Sequence, residues 1–239
     1  MDILAQDLRY AVRTLMRSPA FALIAALCLA LGIGVNTAIF SLVRGVLFRP
    51  LPFANADRLT AVWATDERRG VDEAYITYAD LHELRTSGVF EQVEGFAGRN
   101  VTLTAGDQAE RIEAGSITPG LFQMIGVRPQ SGRWFRADEG APAGQEQVVL
   151  LSDALWRTRF GADPGILNQA IPINGRLLTV VGIMPPSFMF PETEKLWLPL
   201  GMADATNRQA RFIWALGSLR RDLTLQTAGV RLSEIAARW

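Results

Sequence analysis

Apolar residues follow two different rhythms along this chain. From Ala20 to Val43 they run for 24 residues without one charged side chain, while the roughly 190 residues that follow break them into short alternating or helically spaced groups. As a helix the first stretch would be about 36 Å long, enough to cross a hydrocarbon core of about 30 Å with some tilt. Buried helices of soluble domains have shorter apolar runs, and a cleavable signal peptide has an apolar region of roughly 7–15 residues ending at a small-x-small site. Here the run continues through Ile39, Phe40, Leu42 and Val43, and Leu27 stands where a lipoprotein needs a small residue before Cys28. The pattern predicts one membrane crossing, over residues 19–48.

Upstream, Leu4, Leu8, Ala11, Val12 and Leu15 share one helical face while Arg9, Arg13 and Arg17 step by four along another. This predicts an amphipathic helix over residues 1–18 lying in the interface, with arginines at the headgroups. Ser18-Pro19 separates it from the span. Arginines flank both ends of the span, Arg44, Arg49 and Arg58 lying downstream, so charge alone assigns no orientation.

Beyond the stiff exit Pro50-Leu51-Pro52, Leu59 to Ala64 alternates as a strand and Thr77 to Arg85 carries helical spacing. Val93–Phe96, Val101–Thr104 and Arg111–Ile117 read as short strands separated by glycine-containing turns. Thr118-Pro119 reads as the start of a short helix through Ile125, closed by Gly126. Gln147–Leu151 is a strand, Ser152 caps a helix to Phe160, and Gly161 stops it. Ile171–Ile173, Asn174-Gly175 and Leu177–Ile183 form a hairpin, because Asn-Gly accepts the positive φ of a two-residue turn. Leu196–Leu200 and Phe212–Leu219 are further strands. Thr224 caps a last helix with Leu225, Leu232, Ile235, Ala236 and Trp239 on one side. The fold class is α+β: a transmembrane helix followed by a mixed core domain over residues 49–239.

Residues 50–239 hold 19 basic and 22 acidic groups and no clustered basic face, which argues against nucleic acid as a partner. The single cysteine excludes an intrachain disulfide. The single lysine, Lys195, follows no glycine loop, so a Walker A site is absent. His82, the only histidine, stands on the Thr77–Arg85 helix with no Gly-x-Ser-x-Gly elbow in the chain, and reads as a structural residue. Asp66-Glu67, Asp72-Glu73, Asp138-Glu139 and the Glu192/Glu194 pair lack calcium-loop spacing and read as solvated charges. Trp156, Trp197, Trp214 and Trp239 fall inside element patterns and read as packing residues, while Trp63 and Trp134 are undetermined. Gly32-x-Gly34 suits close helix packing and not phosphate binding. The sequence assigns no catalytic, cofactor-binding or metal-ligating residue, and the chain reads as a non-enzyme.

Several segments, taken in order, resemble the MacB/FtsX-type permeases and specifically their MacB-like periplasmic core domain, as found in duplicated orphan permeases of some bacteria. They are Asp7–Arg13, Arg17-Ser18-Pro19, Ala30–Phe40 and Leu47–Pro52, then Ser152–Trp156, Arg159-Phe160-Gly161, Ile173–Arg176 and Val180–Pro185. Asn168 stands where such proteins usually have glycine, and Gly217–Thr224 departs from their usual turn.

The resemblance implies the N-terminal portion of an inner-membrane permease, three later membrane helices of which lie outside this chain. It places the N-terminus in the cytoplasm and the large domain in the periplasm, as two subdomains with an insertion at about 141–200. It implies a mechanical role, in which a cytoplasmic ABC ATPase subunit drives the domain during efflux or handling of lipoprotein and envelope substrates. Expected partners are membrane lipid, the ATPase, a second permease as homodimer or pair, and a periplasmic adaptor or substrate protein. The competing expectation is a single-span, membrane-anchored extracytoplasmic sensor or ligand-binding module.

Overall fold

The computed structural model describes residues 10, 13, 16–17, 19–47, 58–66, 70–105, 108–186, 188–201, 208 and 210–236. The chain divides into two compact units, Met1–Leu51 and Pro52–Trp239.

The first unit contains one 29-residue helix, α1 (Pro19–Leu47), with proline at its start where the missing N–H is harmless. Leu23, Ile24, Leu27, Leu29, Leu31, Ile33, Val35 and Phe40 are exposed along it. Side chains at 21, 25, 38–39 and 42–47 are outside the described residues, and over the described residues alone no helix is long and apolar enough to cross a membrane. Of the expected interfacial helix only Tyr10, Arg13, Met16 and Arg17 are described, all helical and exposed.

In the second unit the described strands are β1 (Leu59–Val62), β2 (Ala64–Asp66), β3 (Val71–Ala74), β4 (Phe90–Ala105), β5 (Gln108–Ile117), β6 (Ser131–Gly132), β7 (Val148–Leu151), β8 (Ala170–Ile173), β9 (Arg176–Ile183), β10 (Leu196–Pro199) and β11 (Trp214–Leu219). Its helices are α2 (Tyr78–Thr86), α3 (Leu121–Met124), α4 (Asp153–Phe160) and α5 (Leu225–Ala236). Nine strands form a mixed sheet in the order β1-β11-β4-β5-β10-β7-β9-β6, with β8 against β4 and β9. β10 runs parallel to β5 and β7 parallel to β9; the other pairs in this sheet are antiparallel. β2 and β3 make a separate two-stranded sheet.

Local chemistry sets the element ends. Thr77 caps α2 in a reciprocal box: its hydroxyl accepts the Asp80 N–H at 3.1 Å, and the Asp80 carboxylate accepts the Thr77 N–H at 2.8 Å. Ser152 accepts the Leu155 N–H, and Gly161 ends α4 at φ +61°. Asn174 (φ +50°) and Gly175 (φ +74°) turn the β8–β9 hairpin. Asn168 also lies in the left-handed region, at φ +64°, a backbone conformation that glycine favours. Thr224 accepts the Thr227 N–H at the start of α5.

Three expectations are corrected. The runs over 93–96 and 101–104 are one strand, because Gly95 and Gly98 make no turn. A Cβ at Gly95 would lie 2.8 Å from Ile213 and 2.9 Å from Leu81, so this glycine is needed for close approach. The helix expected from Thr118-Pro119 is the single turn α3, with Gly120 at its N-cap; the Thr118 hydroxyl is engaged with Glu94 and the Gly95 backbone instead. On α5 the buried residue is Ala228, while Leu225 is exposed and Trp239 lies outside the described residues.

Three apolar clusters fill the unit. The first gathers Val101, Leu103, Ile112, Leu151, Leu155, Ile173 and Leu196. The second packs Phe96, Phe122, Phe190 and Trp197. The third joins Ile76, Leu81, Leu84, Val93, Ile213 and Ala228 beneath α2 and α5.

Candidate functional site

Among the buried acids, Glu94 on β4 receives three side-chain hydrogen bonds. Its Oε2 accepts from Arg85 at 3.0 Å and from the Thr118 hydroxyl, and its Oε1 accepts from the Gln92 amide at 3.0 Å. Thr118 in turn accepts the Gly95 N–H at 2.8 Å, and Arg85 donates to the Val93 carbonyl at 3.0 Å. This network ties α2, β4 and the turn before α3. A buried carboxylate supplied with three donors acts as a structural tie. The sequence reading passed over Glu94. Its signal was an acid within Val93-Glu94-Gly95-Phe96, a run in which all four residues are buried.

Other buried acids are tied in the same way. Asp80 receives Arg208 at 3.1 Å in addition to its capping bond. Glu146 receives Arg99 at 2.5 Å and the Gly144 N–H at 2.7 Å, holding the loop before β7 against β4. Asp153 accepts from Arg157 and Gln130, both at 2.7 Å, and these two bonds hold its carboxyl below the usual aspartate range. Burial works to raise the Glu139 carboxyl, but the Arg133 fork at 2.6 and 2.9 Å and the Arg136 N–H outweigh it and leave it lowered.

Among the described residues the acidic neighbours noted in the sequence do not converge. Glu139 is engaged by Arg133, and Glu194 accepts the Glu192 N–H at 3.0 Å. Glu73 is exposed on β3, and the side chains of Asp66 and Asp72 are outside the described residues, as is Glu67 entirely. Among the described residues no group of three or more His, Cys, Asp or Glu side chains could hold a metal ion. His82 is exposed on α2.

The tryptophans divide. Trp197 is fully buried, its indole N–H donating to the Phe190 carbonyl at 3.0 Å with Phe122 edge-on at 5.3 Å. Trp156 and Trp134 are half-buried and donate to the Asp163 and Val127 carbonyls, both at 2.8 Å. Trp63, undetermined from sequence, meets Trp214 edge-on at 5.0 Å, and Tyr75 stacks on Trp214 at 5.8 Å. These three rings form an aromatic cluster that is partly open to solvent, with Tyr75 and Trp214 exposed.

What this geometry offers is a braced scaffold with ion-paired acids, one aromatic surface cluster and an apolar helix. The profile of the MacB-like periplasmic core domain matches residues 22–237. No curated protein matches the chain. Among solved structures, the periplasmic region of MacB from Actinobacillus actinomycetemcomitans is similar at TM-score 0.55 and 17% identity, over 75% of this chain and 81% of that one. The extracellular domain of the noncanonic ABC-type transporter YknZ from Gram-positive bacteria gives 0.56 and 16%, over 74% and 90%. A domain of a protein described as a permease from Porphyromonas gingivalis gives 0.59 and 16%, over 78% and 86%. At these identities the three structures establish the fold alone. The profile match, running from within α1 to the end of α5, establishes that the chain belongs to the MacB-like periplasmic core domain family of ABC transporter permeases.

Proposed function

We propose that this chain is the N-terminal, non-catalytic portion of a permease component of a MacB/FtsX-type ABC transporter. In this reading α1 crosses the bacterial inner membrane once, the arm before it lies on the cytoplasmic face, and residues from about 49 onward stand in the periplasm. The observation that carries it is the span of the family match, which takes in both the apolar helix and the whole mixed sheet. Physical support comes from the helix itself: Leu23 to Phe40 present apolar side chains to the exterior, which water disfavours and hydrocarbon accepts.

The role is mechanical. A cytoplasmic ABC ATPase moves the permease, and the periplasmic unit transmits that motion without making or breaking a bond. Its buried acids Asp80, Glu94, Glu146 and Asp153 are committed to arginine pairs, which suits a body that must keep its shape under load. Two copies or a permease pair would assemble the transporter, and the cargo class is efflux substrate, lipoprotein or other envelope material.

Topology is tested by replacing Cys28 with serine and placing a single cysteine at the exposed Asn100. A membrane-impermeant maleimide should label it in intact spheroplasts; protection until the membrane is permeabilised would sink the periplasmic assignment. Coupling is tested by affinity capture of the detergent-solubilised chain. An ATP-hydrolysing polypeptide should accompany it, and repeated capture without one removes the transporter reading.

A further inference from the structure

Alternation along β11 should turn polar side chains to the open side, and at its start it does not. Ile213 and Ala215 are buried, while Trp214 between them is 38% exposed. Two registers bring further rings to it. Val62 lies opposite Ala215, which carries Trp63 alongside Trp214, and the bridge of Ile76 to Ile213 does the same for Tyr75, itself 45% exposed. Trp63 meets Trp214 edge-on, and Tyr75 stacks on it with the ring planes 28° apart. Large rings left in contact with water are a cost to the fold, and a cluster of them marks a surface kept for binding.

Their polar atoms are uncommitted as well. Trp134, Trp156 and Trp197 each donate the indole N–H to a backbone carbonyl, at 2.8, 2.8 and 3.0 Å. Among the described residues, Trp63 and Trp214 have no such acceptor and the Tyr75 hydroxyl has no partner. No buried side-chain nitrogen or oxygen of the described residues lacks a hydrogen bond, so the N–H of the half-buried Trp63 reaches solvent. Glu73 is exposed two residues before Tyr75, on the same side by alternation, and adds a carboxylate acceptor.

Size and chemistry narrow the occupant. At roughly 150–250 Å² for an aromatic side chain, Tyr75 and Trp214 together expose about 200 Å². A second copy of this chain or another folded partner would bury about 800 Å² on each side. The footprint suits one or two sugar rings instead. The face of an aromatic ring is negative, and the C–H groups on the flat side of an equatorially substituted pyranose are apolar and weakly positive. The hydroxyls at the sugar's rim can accept from an indole N–H and donate to a carboxylate. Glu73 disfavours an anionic ligand.

We propose that Trp63, Tyr75 and Trp214, with Glu73 at the edge, form a binding platform for a neutral β-linked oligosaccharide, one pyranose ring lying on the Tyr75–Trp214 surface. The platform requires neither a membrane crossing nor an ATPase, so it stands or falls apart from the transporter reading.

The test is saturation-transfer nuclear magnetic resonance on the full chain in detergent, with cellotriose and tri-N-acetylchitotriose as probes. Irradiating the protein should saturate the ring protons of at least one saccharide, those of one ring face more than those of the other. Trp214→Ala and Tyr75→Ala should each lower the transfer at least fivefold, with circular dichroism confirming that the variant folds. Trp63→Phe keeps a ring and removes the N–H; it should lower the transfer about two- to threefold, and it serves if both alanine variants fail to fold. Leu177→Ala, at an exposed apolar residue of the β8–β9 hairpin, should leave it unchanged. Absence of transfer to both saccharides overturns the platform, as does transfer retained in full by the folded substituted chains or lost equally in Leu177→Ala.

Discussion

The helix α1 and the sheet unit are made from the same aliphatic residues and use them in opposite ways. Leu31 is 65% exposed, whereas Leu81 and Leu103 are 0% exposed. In the sheet unit the apolar groups find one another across β4, β5, β7 and β10, and each Å² of apolar surface they remove from water contributes about 25 cal/mol. Along α1 the described apolar side chains face outward, so their burial must come from outside the helix. The difference teaches that hydrophobicity specifies a core only where topology brings apolar faces together; on a lone helix it specifies an environment.

The comparison predicts two large effects that should not mix. Trp197→Ala removes a fully buried indole at the centre of the second cluster and should destabilise the sheet unit by about 3–5 kcal/mol. Urea unfolding followed by circular dichroism reads this, and membrane retention should be unchanged. Leu31→Asp places a charge in the middle of α1, at about 2.5–3.5 kcal/mol if the helix spans a bilayer. It should move the chain from the carbonate-resistant membrane fraction to the soluble one while leaving the urea midpoint of the sheet unit in place. A Leu31→Asp chain retained in the membrane would break the comparison at its root.

Much of the sheet unit was legible because its punctuation is local. Thr77 with Asp80, Ser152 with Gly161, and Asn174-Gly175 each fix an element end through neighbours in sequence. The glycines of β4 read as turns because the reason for Gly95 is tertiary: nothing near it in sequence announces Ile213 or Leu81. The same holds for Thr118, whose capping signature is overridden by Glu94, twenty-four positions earlier. Of the possible surfaces, His82 on an exposed helix face was readable from spacing, but the Trp63–Trp214–Tyr75 cluster was not. It is assembled from the residues that follow β1 and β3 and the first residue of β11, which lies far from them in the chain.

A smaller effect sharpens the contrast between packing and polar ties within the sheet unit. Thr118→Val keeps the shape of the side chain but removes the hydroxyl that donates to Glu94 and accepts from Gly95. Leaving the buried Gly95 N–H without that acceptor should cost about 1–3 kcal/mol, read as a lower urea midpoint with the far-ultraviolet spectrum retained. Thr118→Ser should recover most of it. If valine and serine behave alike, the network contributes shape and not hydrogen bonding.

The smallest effect is the one whose sign depends on pH. The Asp153 carboxyl, held low by Arg157 and Gln130, is more acidic in the folded chain than in the unfolded one. Its contribution is therefore fully present above the ordinary aspartate range, near 4, and is lost as pH falls through the lower folded value. Arg157 is 56% exposed, so solvent screens the pair and Asp153→Asn should cost only a few tenths to about 1 kcal/mol at pH 7. The difference between the two proteins should shrink as pH is lowered below about 4, because protonation then removes from the native chain the charge that the substitution has already removed. A penalty that stays constant from pH 7 to pH 3 would assign the role of Asp153 to the start of α4 through packing, and not to its charge.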